Sequence, residues 1–183
     1  MAVEAGPIVE KICERAWLAD VVVAPILNPP GARLMTRLSS EFRSLVLRCA
    51  RPILAVPDQP SAITRALLAY DGSPKAKEAL FVATYVAGRW GVPLLVLTVA
   101  ESSGQDSSMA AEARTYLEAH KIQARFVQRS GSVADAVLST TEDEGIDLII
   151  MGSYSRRSLK NLVLGDSVDE VLTRSRQPIL ICR

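Results

Sequence analysis

Residues 147–183 read "DLIIMGSYSRRSLKNLVLGDSVDEVLTRSRQPILICR" and contain an apolar run, a polar loop, a helical segment and a second apolar run. The run 147–152 is typical of a buried strand, and a helix is predicted from about 167 to 175. Residues 178–183 are predicted to form the last strand. A strand, a helix and another strand in this order are typical of a crossover unit in a parallel sheet.

The same alternation extends upstream to residue 65. Ser73 suits a helix N-cap and Pro74 the first helical position, so a helix is predicted to begin there and to end at Gly91. The other predicted strands are 65–71, 93–100 and 122–129, and the other predicted helices are 109–121 and 132–145. Five strands joined by helices predict an α/β fold with a mainly parallel five-stranded sheet and helices on both faces.

The beginning of the chain resembles its end. "ERAWLADVVVAP" (14–25) resembles "DEGIDLIIMG" (143–152), and "LSSEFRSLVLRCARPILAVP" (38–57) resembles "LGDSVDEVLTRSRQPILICR" (164–183). We interpret this as an internal repeat of about fifty residues. The first copy corresponds only to the back half of a unit.

The repeat predicts two units of unequal size. Residues 1–57 are a partial unit, 58–64 a linker and 65–183 a complete domain. Since prolines occupy positions 25, 29 and 30 in the first copy and lack an N–H, any anion site is expected in the second copy alone.

Composition restricts the classes of function. Of 183 residues, 49% are hydrophobic, and 21 Lys and Arg nearly balance 20 Asp and Glu, which gives no charge-based reason for a nucleic-acid or membrane partner. Three widely spaced cysteines form neither a disulfide framework nor a zinc motif. We expect a soluble, cytoplasmic protein without a signal peptide or a metal site of its own.

The loop after the strand 147–152 has the features of a phosphate site. Gly152, Ser155, Gly165 and Asp166 follow the spacing Gly-x2-Ser-x9-Gly-Asp. Glycines let backbone N–H groups approach phosphate oxygens, and a following helix N-terminus adds free donors.

Two residues of this loop leave its function open. Ser155 either strains a backbone that needs positive φ or donates its hydroxyl to phosphate. The carboxylate of Asp166 only accepts hydrogen bonds and repels phosphate, unless Mg²⁺ bridges Asp166 or Asp71 to the phosphates. Alternatively, Asp166 or Ser167 caps the last helix, with Ser167 and Glu170 in capping-box spacing.

The segments "LLAYDGS" (67–73) and 147–183 resemble the universal stress protein family. The resemblance covers about 65–183 as a complete unit and about 5–57 as half of another, and it implies a Rossmann-like, doubly wound fold. Nucleotide-binding members of this family carry Gly-x2-Gly-x9-Gly-(Ser/Thr), so this chain departs from the pattern at Ser155 and Asp166.

The resemblance also implies a site and a role. An acidic residue after the first strand lies by the sugar and phosphates, a backbone position near the end of the second strand contacts adenine, and the loop with the following helix N-terminus holds phosphates. The corresponding residues are Asp71, Val99, Met151, Gly152, Ser155, Arg156, Gly165, Asp166, Ser167 and Val168. The implied role is regulation in stress response, with ATP, with or without Mg²⁺, as candidate ligand.

Alternatives remain open for the function and for single residues. The chain is either this module or a nucleotide-free oligomerising module, and an enzyme of a related nucleotide-binding fold is the third alternative. Slow ATP hydrolysis stays open, but no nucleophile–base pair is visible.

For single residues, structural roles are the alternative. Asp71 could be a plain turn residue, the lone His120 is expected at the surface, and Trp17 and Trp90 are expected to pack.

Family members pair through the last strand, edge to edge. "PILAVP" (52–57) and "PILICR" (178–183) could therefore pair within this chain. The strand in "DVVVAP" (20–25) would then present an apolar edge, which invites another chain. We expect a homodimer or higher homo-oligomer in which residues 1–57 pack against a second copy.

Overall fold

The computed structural model of the chain describes residues 5–26, 41–57, 62–100, 107–154 and 167–183. The helices in these ranges are α1 (Ile8–Ala16), α2 (Glu41–Arg48), α3 (Pro74–Trp90), α4 (Ser107–Ala119), α5 (Val133–Asp143) and α6 (Ser167–Arg174). The strands are β1 (Val22–Pro25), β2 (Ile53–Val56), β3 (Ala66–Ala69), β4 (Leu94–Ala100), β5 (Ala124–Ser130), β6 (Leu148–Gly152) and β7 (Ile179–Cys182). Each predicted element has its counterpart, with bounds that differ by one or two residues.

All of these strands form one sheet in the order β1-β2-β7-β6-β3-β4-β5. The strands β3 to β7 are the predicted five, and they are mutually parallel. The strands β1 and β2 are parallel to each other, and β2 pairs antiparallel with β7. The α/β prediction is therefore confirmed, and the sheet is wider than the predicted five strands because β2 joins it at the β7 edge.

Local sequence signals fix the ends of α3. The Ser73 side chain accepts a hydrogen bond from the Ala76 N–H at 3.2 Å, and Pro74 occupies the first turn. Gly91 ends the helix in the left-handed conformation, with φ of 66°. These signals were visible in the sequence, and the structure confirms them.

Helices cover both faces of the sheet. One core lies between the sheet and α1, α2, α5 and α6, and the other lies between the sheet and α3 and α4. Successive strand residues alternate between the two cores, so Ile149 faces the first and Ile150 the second. Both side chains are fully buried.

The pairing of β1 with β2 matches the pairing of β6 with β7. Val22 lies opposite Ile53 in the first pair as Ile149 lies opposite Ile179 in the second. The counterparts in β1 and β6 are thus 127 positions apart, and those in β2 and β7 are 126 apart.

The two strand pairs differ in what covers them. Val23 is 60% exposed, whereas its counterpart Ile150 is fully buried in the core beneath α3 and α4. Val21 is likewise exposed and its counterpart Leu148 is buried. Within the described ranges, β1 is an edge strand with an uncovered apolar face.

The prediction that both tryptophans pack was wrong. Trp17 is 68% exposed and Trp90 is 62% exposed, because both stand at the C-terminal end of a helix and point to solvent. Trp17 lies 6.0 Å from the Arg51 guanidinium carbon, and Trp90 stands edge-on to Tyr85.

The predicted linker lies only in part within the described residues. Positions 58–61 fall outside them, and Thr64 is held by Asp147, whose carboxylate accepts hydrogen bonds from its N–H and its hydroxyl. Among the helices that the structure describes, none is both long and apolar enough to cross a membrane.

Candidate functional site

The carboxyl ends of β3, β4 and β6 meet at one edge of the sheet. The strand β3 lies between the other two, and the chain proceeds from β3 to β4 and β5 on one side and returns to β6 and β7 on the other. Ligands of doubly wound folds bind outside such a switch point. The predicted residues Asp71, Val99 and Gly152 lie at this edge.

Asp71 comes two residues after the last paired residue of β3, and its side chain is exposed. Its Oδ1 accepts a hydrogen bond from the Ser73 N–H at 2.9 Å, which is an Asx turn leading into α3. This turn is by itself a sufficient reason for an aspartate at position 71. It engages one carboxylate oxygen, and the side chain still faces solvent at the sheet edge.

Gly152 ends β6 against the first turn of α3. A Cβ at this position would lie 2.7 Å from the carbonyl carbon of Lys75 and 2.9 Å from the Ala76 nitrogen. The neighbouring atoms are backbone and cannot move independently. Helix packing is therefore sufficient to explain this glycine, and the same contact places the N-terminus of α3 beside the end of β6.

Met151 and Val99 are the other predicted site residues that the structure describes at this edge of the sheet. Met151 is 5% exposed and pairs with Ala69 of β3, so its side chain belongs to the core. Val99 is half-buried and pairs with Arg129 of β5.

An open depression of about 660 Å³ lies at the ends of β4 and β5, beside the edge that carries Asp71, Val99 and Gly152. It is lined by Ala100, Gln128, Arg129, Ser130, Asp135, Ala136 and Ser139. No sequence pattern indicates this depression, because residues of β5 and α5 meet there only through folding.

The helix α6 begins at Ser167, where the sequence predicted it. Val168 is 4% exposed and its side chain packs in the core. The predicted residues Ser155, Arg156, Gly165 and Asp166 lie outside the described residues. Their contribution to a site therefore remains a prediction.

A buried charged cluster, which the sequence analysis missed, joins the residues on either side of positions 155–166. The Tyr154 hydroxyl donates to Oδ1 of Asp169, and Arg43 donates to Oδ2 of the same carboxylate at 2.8 Å. The Arg43 guanidinium carbon also lies 4.1 Å from the centre of the Tyr154 ring. No local sequence pattern or motif indicates this cluster, because Arg43 is 126 positions from Asp169.

Tyr70, the residue before Asp71, is buried and interacts with a nearby carboxylate, that of Glu112. Burial raises the pKa of the Tyr70 hydroxyl, and the nearby Glu112 carboxylate raises it further. A hydrogen bond from Lys77 lowers the pKa of Glu112, which accepts at 2.6 Å. Tyr70 therefore stays protonated at neutral pH and donates to Glu112 at 3.2 Å.

Cys182 is buried, whereas His120 is exposed. Burial raises the pKa of the Cys182 thiol to about 12, so it is no nucleophile at neutral pH. His120 is exposed, as predicted, with Nδ1 2.8 Å from the Tyr116 carbonyl oxygen. Within the described ranges, no three His, Cys, Asp or Glu residues cluster closely enough to hold a metal ion.

Residues 62–183 match the model of the universal stress protein family. A universal stress protein of Synechocystis is 26% identical over 169 residues, which are 90% of this chain and 58% of that protein. The chain thus spans under two thirds of that relative's length.

Solved structures share the fold. A universal stress protein of Archaeoglobus fulgidus superposes with a TM-score of 0.76 at 22% identity, over 96% of this chain and 64% of that one. A universal stress protein in complex with cAMP superposes with a TM-score of 0.55 at 18% identity, over 67% of this chain and 99% of that one.

Proposed function

We propose, because the chain belongs to the universal stress protein family, that it is a regulatory module of stress response which binds ATP or a related adenine nucleotide. The observation that carries this proposal is the meeting of Asp71, Val99 and Gly152 at the switch point of the sheet. A solved relative of the same fold in complex with cAMP supports an adenine nucleotide as the ligand class.

The residues at this edge fit different parts of a nucleotide. The exposed carboxylate of Asp71 would accept hydrogen bonds from the ribose hydroxyls. The backbone at Val99 would contact adenine, and the half-buried apolar side chain beside it would pack on the ring. Phosphates would lie on residues 152–168, with Met151 and Val168 contributing backbone only, since their side chains are buried.

Charge at the phosphate end determines how strongly the ligand binds. Lys75, whose backbone touches Gly152, already pairs with Glu78 at 3.1 Å. The cation required to offset Asp166 would therefore come from Arg156 or from Mg²⁺ bound with the nucleotide. We propose that Mg²⁺ accompanies ATP, and we place the module in the cytoplasm.

We also propose that residues 1–57 are the back half of a second unit and that 58–64 link it to the complete domain. The matching registers of β1–β2 and β6–β7 support this division. We propose no enzymatic activity.

Calorimetric titration with ATP, with and without Mg²⁺, tests the nucleotide site. Asp71→Asn should weaken binding by roughly tenfold, equivalent to the loss of about one charge-assisted hydrogen bond. Asp20→Asn is the matched control, because Asp20 is an exposed aspartate just before β1, far from the site. Equal affinities of the parent and of Asp71→Asn for ATP would show that Asp71 does not contribute to the binding of the nucleotide.

The second candidate function is a nucleotide-free module that associates with another copy of itself. The uncovered edge strand β1, with Val23 60% exposed, favours it. Edge strands with exposed apolar side chains pair readily with other chains. In this function, two copies join through β1, and residues 1–57 lie at the interface.

Light scattering on the parent and on Val23→Asp tests this association. A charge on the exposed face of β1 should dissociate the oligomer and leave the fold intact, since the side chain faces solvent in the single chain. Ala111→Asp is the control, because it adds the same charge at an exposed position of α4 outside residues 1–57. A parent that has the mass of one chain at all concentrations would contradict the second function.

A further inference from the structure

Arg43 and Asp169 occupy the same position in two similar segments of the chain. Arg43 is the third residue of α2, which leads into β2, and Asp169 is the third residue of α6, which leads into β7. They are 126 positions apart, the same separation that relates β2 to β7. Arg43 donates to Oδ2 of Asp169 at 2.8 Å, so the two counterparts contact each other directly.

The pairing of β2 with β7 places a second pair of counterparts face to face. Leu54 lies opposite Leu180 in the antiparallel pair, and these residues are also 126 apart. Contacts between counterparts are the mark of a local twofold axis. The axis therefore passes between Leu54 and Leu180 and between Arg43 and Asp169.

The charges on this axis are shielded from water. The Asp169 side chain is 1% exposed and that of Arg43 is 12% exposed. The Tyr154 hydroxyl donates to the other carboxylate oxygen of Asp169. A buried carboxylate that faced another carboxylate here would exchange the favourable contact with Arg43 for a like charge in a place shielded from water.

We propose that Arg43 and Asp169 make this sheet edge selective: it accepts the pairing of β2 with β7 and rejects β7 with β7, or β2 with β2, between two copies. Across the same axis, two identical β7 edges would bring two copies of Asp169 together, and two β2 edges would bring two copies of Arg43 together. Like charges across an interface oppose association and thereby specify the partner.

The partner that fits the β7 edge is consequently defined by its chemistry. It is an antiparallel strand preceded by a helix whose third residue is a cation. Residues 41–57 of the same chain have these features, and so do residues 41–57 of a second copy if the segments are exchanged. The inference does not depend on nucleotide binding.

Charge reversal in the full-length chain tests the selectivity. Arg43→Asp and Asp169→Arg should each lower the thermal midpoint by roughly 10 °C, because each leaves like charges buried together. The chain that carries both reversals should recover at least half of that loss, with the remainder due to the lost hydrogen bond from Tyr154 to Asp169.

Mixing the two single variants distinguishes selectivity from stability. After refolding together from urea, they should form a complex by exchange of residues 41–57, in which one ion pair has the native orientation and the other is reversed. The mixture should then show a midpoint several degrees above either variant and, by light scattering, a species twice as heavy as any that either forms alone.

Arg129 and Asp143 form an exposed ion pair at 3.0 Å and provide the matched control. Arg129→Asp and Asp143→Arg should change the midpoint by only about 2 °C, and their mixture should give no new species. The proposal is overturned if the mixture of Arg43→Asp and Asp169→Arg shows neither a heavier species nor a higher thermal midpoint than the separate variants. It is also overturned if the chain with both reversals recovers none of the lost thermal midpoint.

Discussion

The backbone of Lys75 lies so close to Gly152 that a Cβ there would be 2.7 Å from the Lys75 carbonyl carbon. Real Cβ atoms essentially never approach backbone this closely, so any side chain at position 152 would displace the first turn of α3. This contact couples the end of β6 to the start of α3 at the switch point of the sheet.

Gly152→Ala should therefore destabilise the fold. Overpacking of this kind costs roughly 1–3 kcal/mol, equivalent to a fall of about 3–10 °C in the thermal midpoint. Gly88→Ala is the control, because its Cβ would meet only the tip of Ile122 at 3.1 Å and alanine favours the helix by about 1 kcal/mol. Equal midpoints for Gly152→Ala and the parent would show that the contact is not tight.

The counterparts Ile150 and Val23 should respond differently to truncation. Ile150→Ala removes a fully buried side chain and should cost about 2–5 kcal/mol in the free energy of unfolding. Val23→Ala truncates a side chain that is 60% exposed and should cost less than about 1 kcal/mol. Urea unfolding at low protein concentration measures both values. Equal costs would mean that Val23 is covered in solution.

Stability should fall in alkaline solution through Cys182. Burial raises the pKa of this thiol from 9.0 to about 12, so the unfolded chain loses the proton first as pH rises. The stabilising contribution is therefore complete below pH 9 and declines between pH 9 and 12. Tyr70 and Cys13, whose pKa values are also raised by burial, act with the same sign.

Cys182→Ala should make this decline shallower. Thermal midpoints of the parent and the variant, followed from pH 7 to 11, provide the measurement. The two curves should run parallel up to about pH 8.5 and converge above it. Curves that stay parallel throughout would show that the thiol does not titrate differently in the folded and unfolded chain.

The sequence predicted the elements well because their signals are local. Ser73 and Gly91 mark the ends of α3, and apolar runs mark the buried strands. The segment "PILAVP" also indicated the pairing of β2 with β7, since it repeats the last strand.

Contacts between distant residues escaped sequence analysis. Arg43 is 126 positions from Asp169, and no local pattern connects them. Gly152 was interpreted through a ligand, whereas the close approach of Lys75 already explains it. The positions of Trp17 and Trp90 late in their helices predict packing, yet both side chains are more than 60% exposed.

Titration of ATP with Mg²⁺ into the parent and into Asp166→Ser tests the proposed nucleotide site most directly. Serine would replace an acceptor that repels phosphate with a hydroxyl donor, so the variant should bind at least as tightly, above all without Mg²⁺. We predict saturable binding by the parent with Mg²⁺ and a dissociation constant on the order of 1 μM, about −8 kcal/mol. Absence of binding by both proteins at about 1 mM ATP, near −4 kcal/mol, would contradict the nucleotide site and favour the self-associating module.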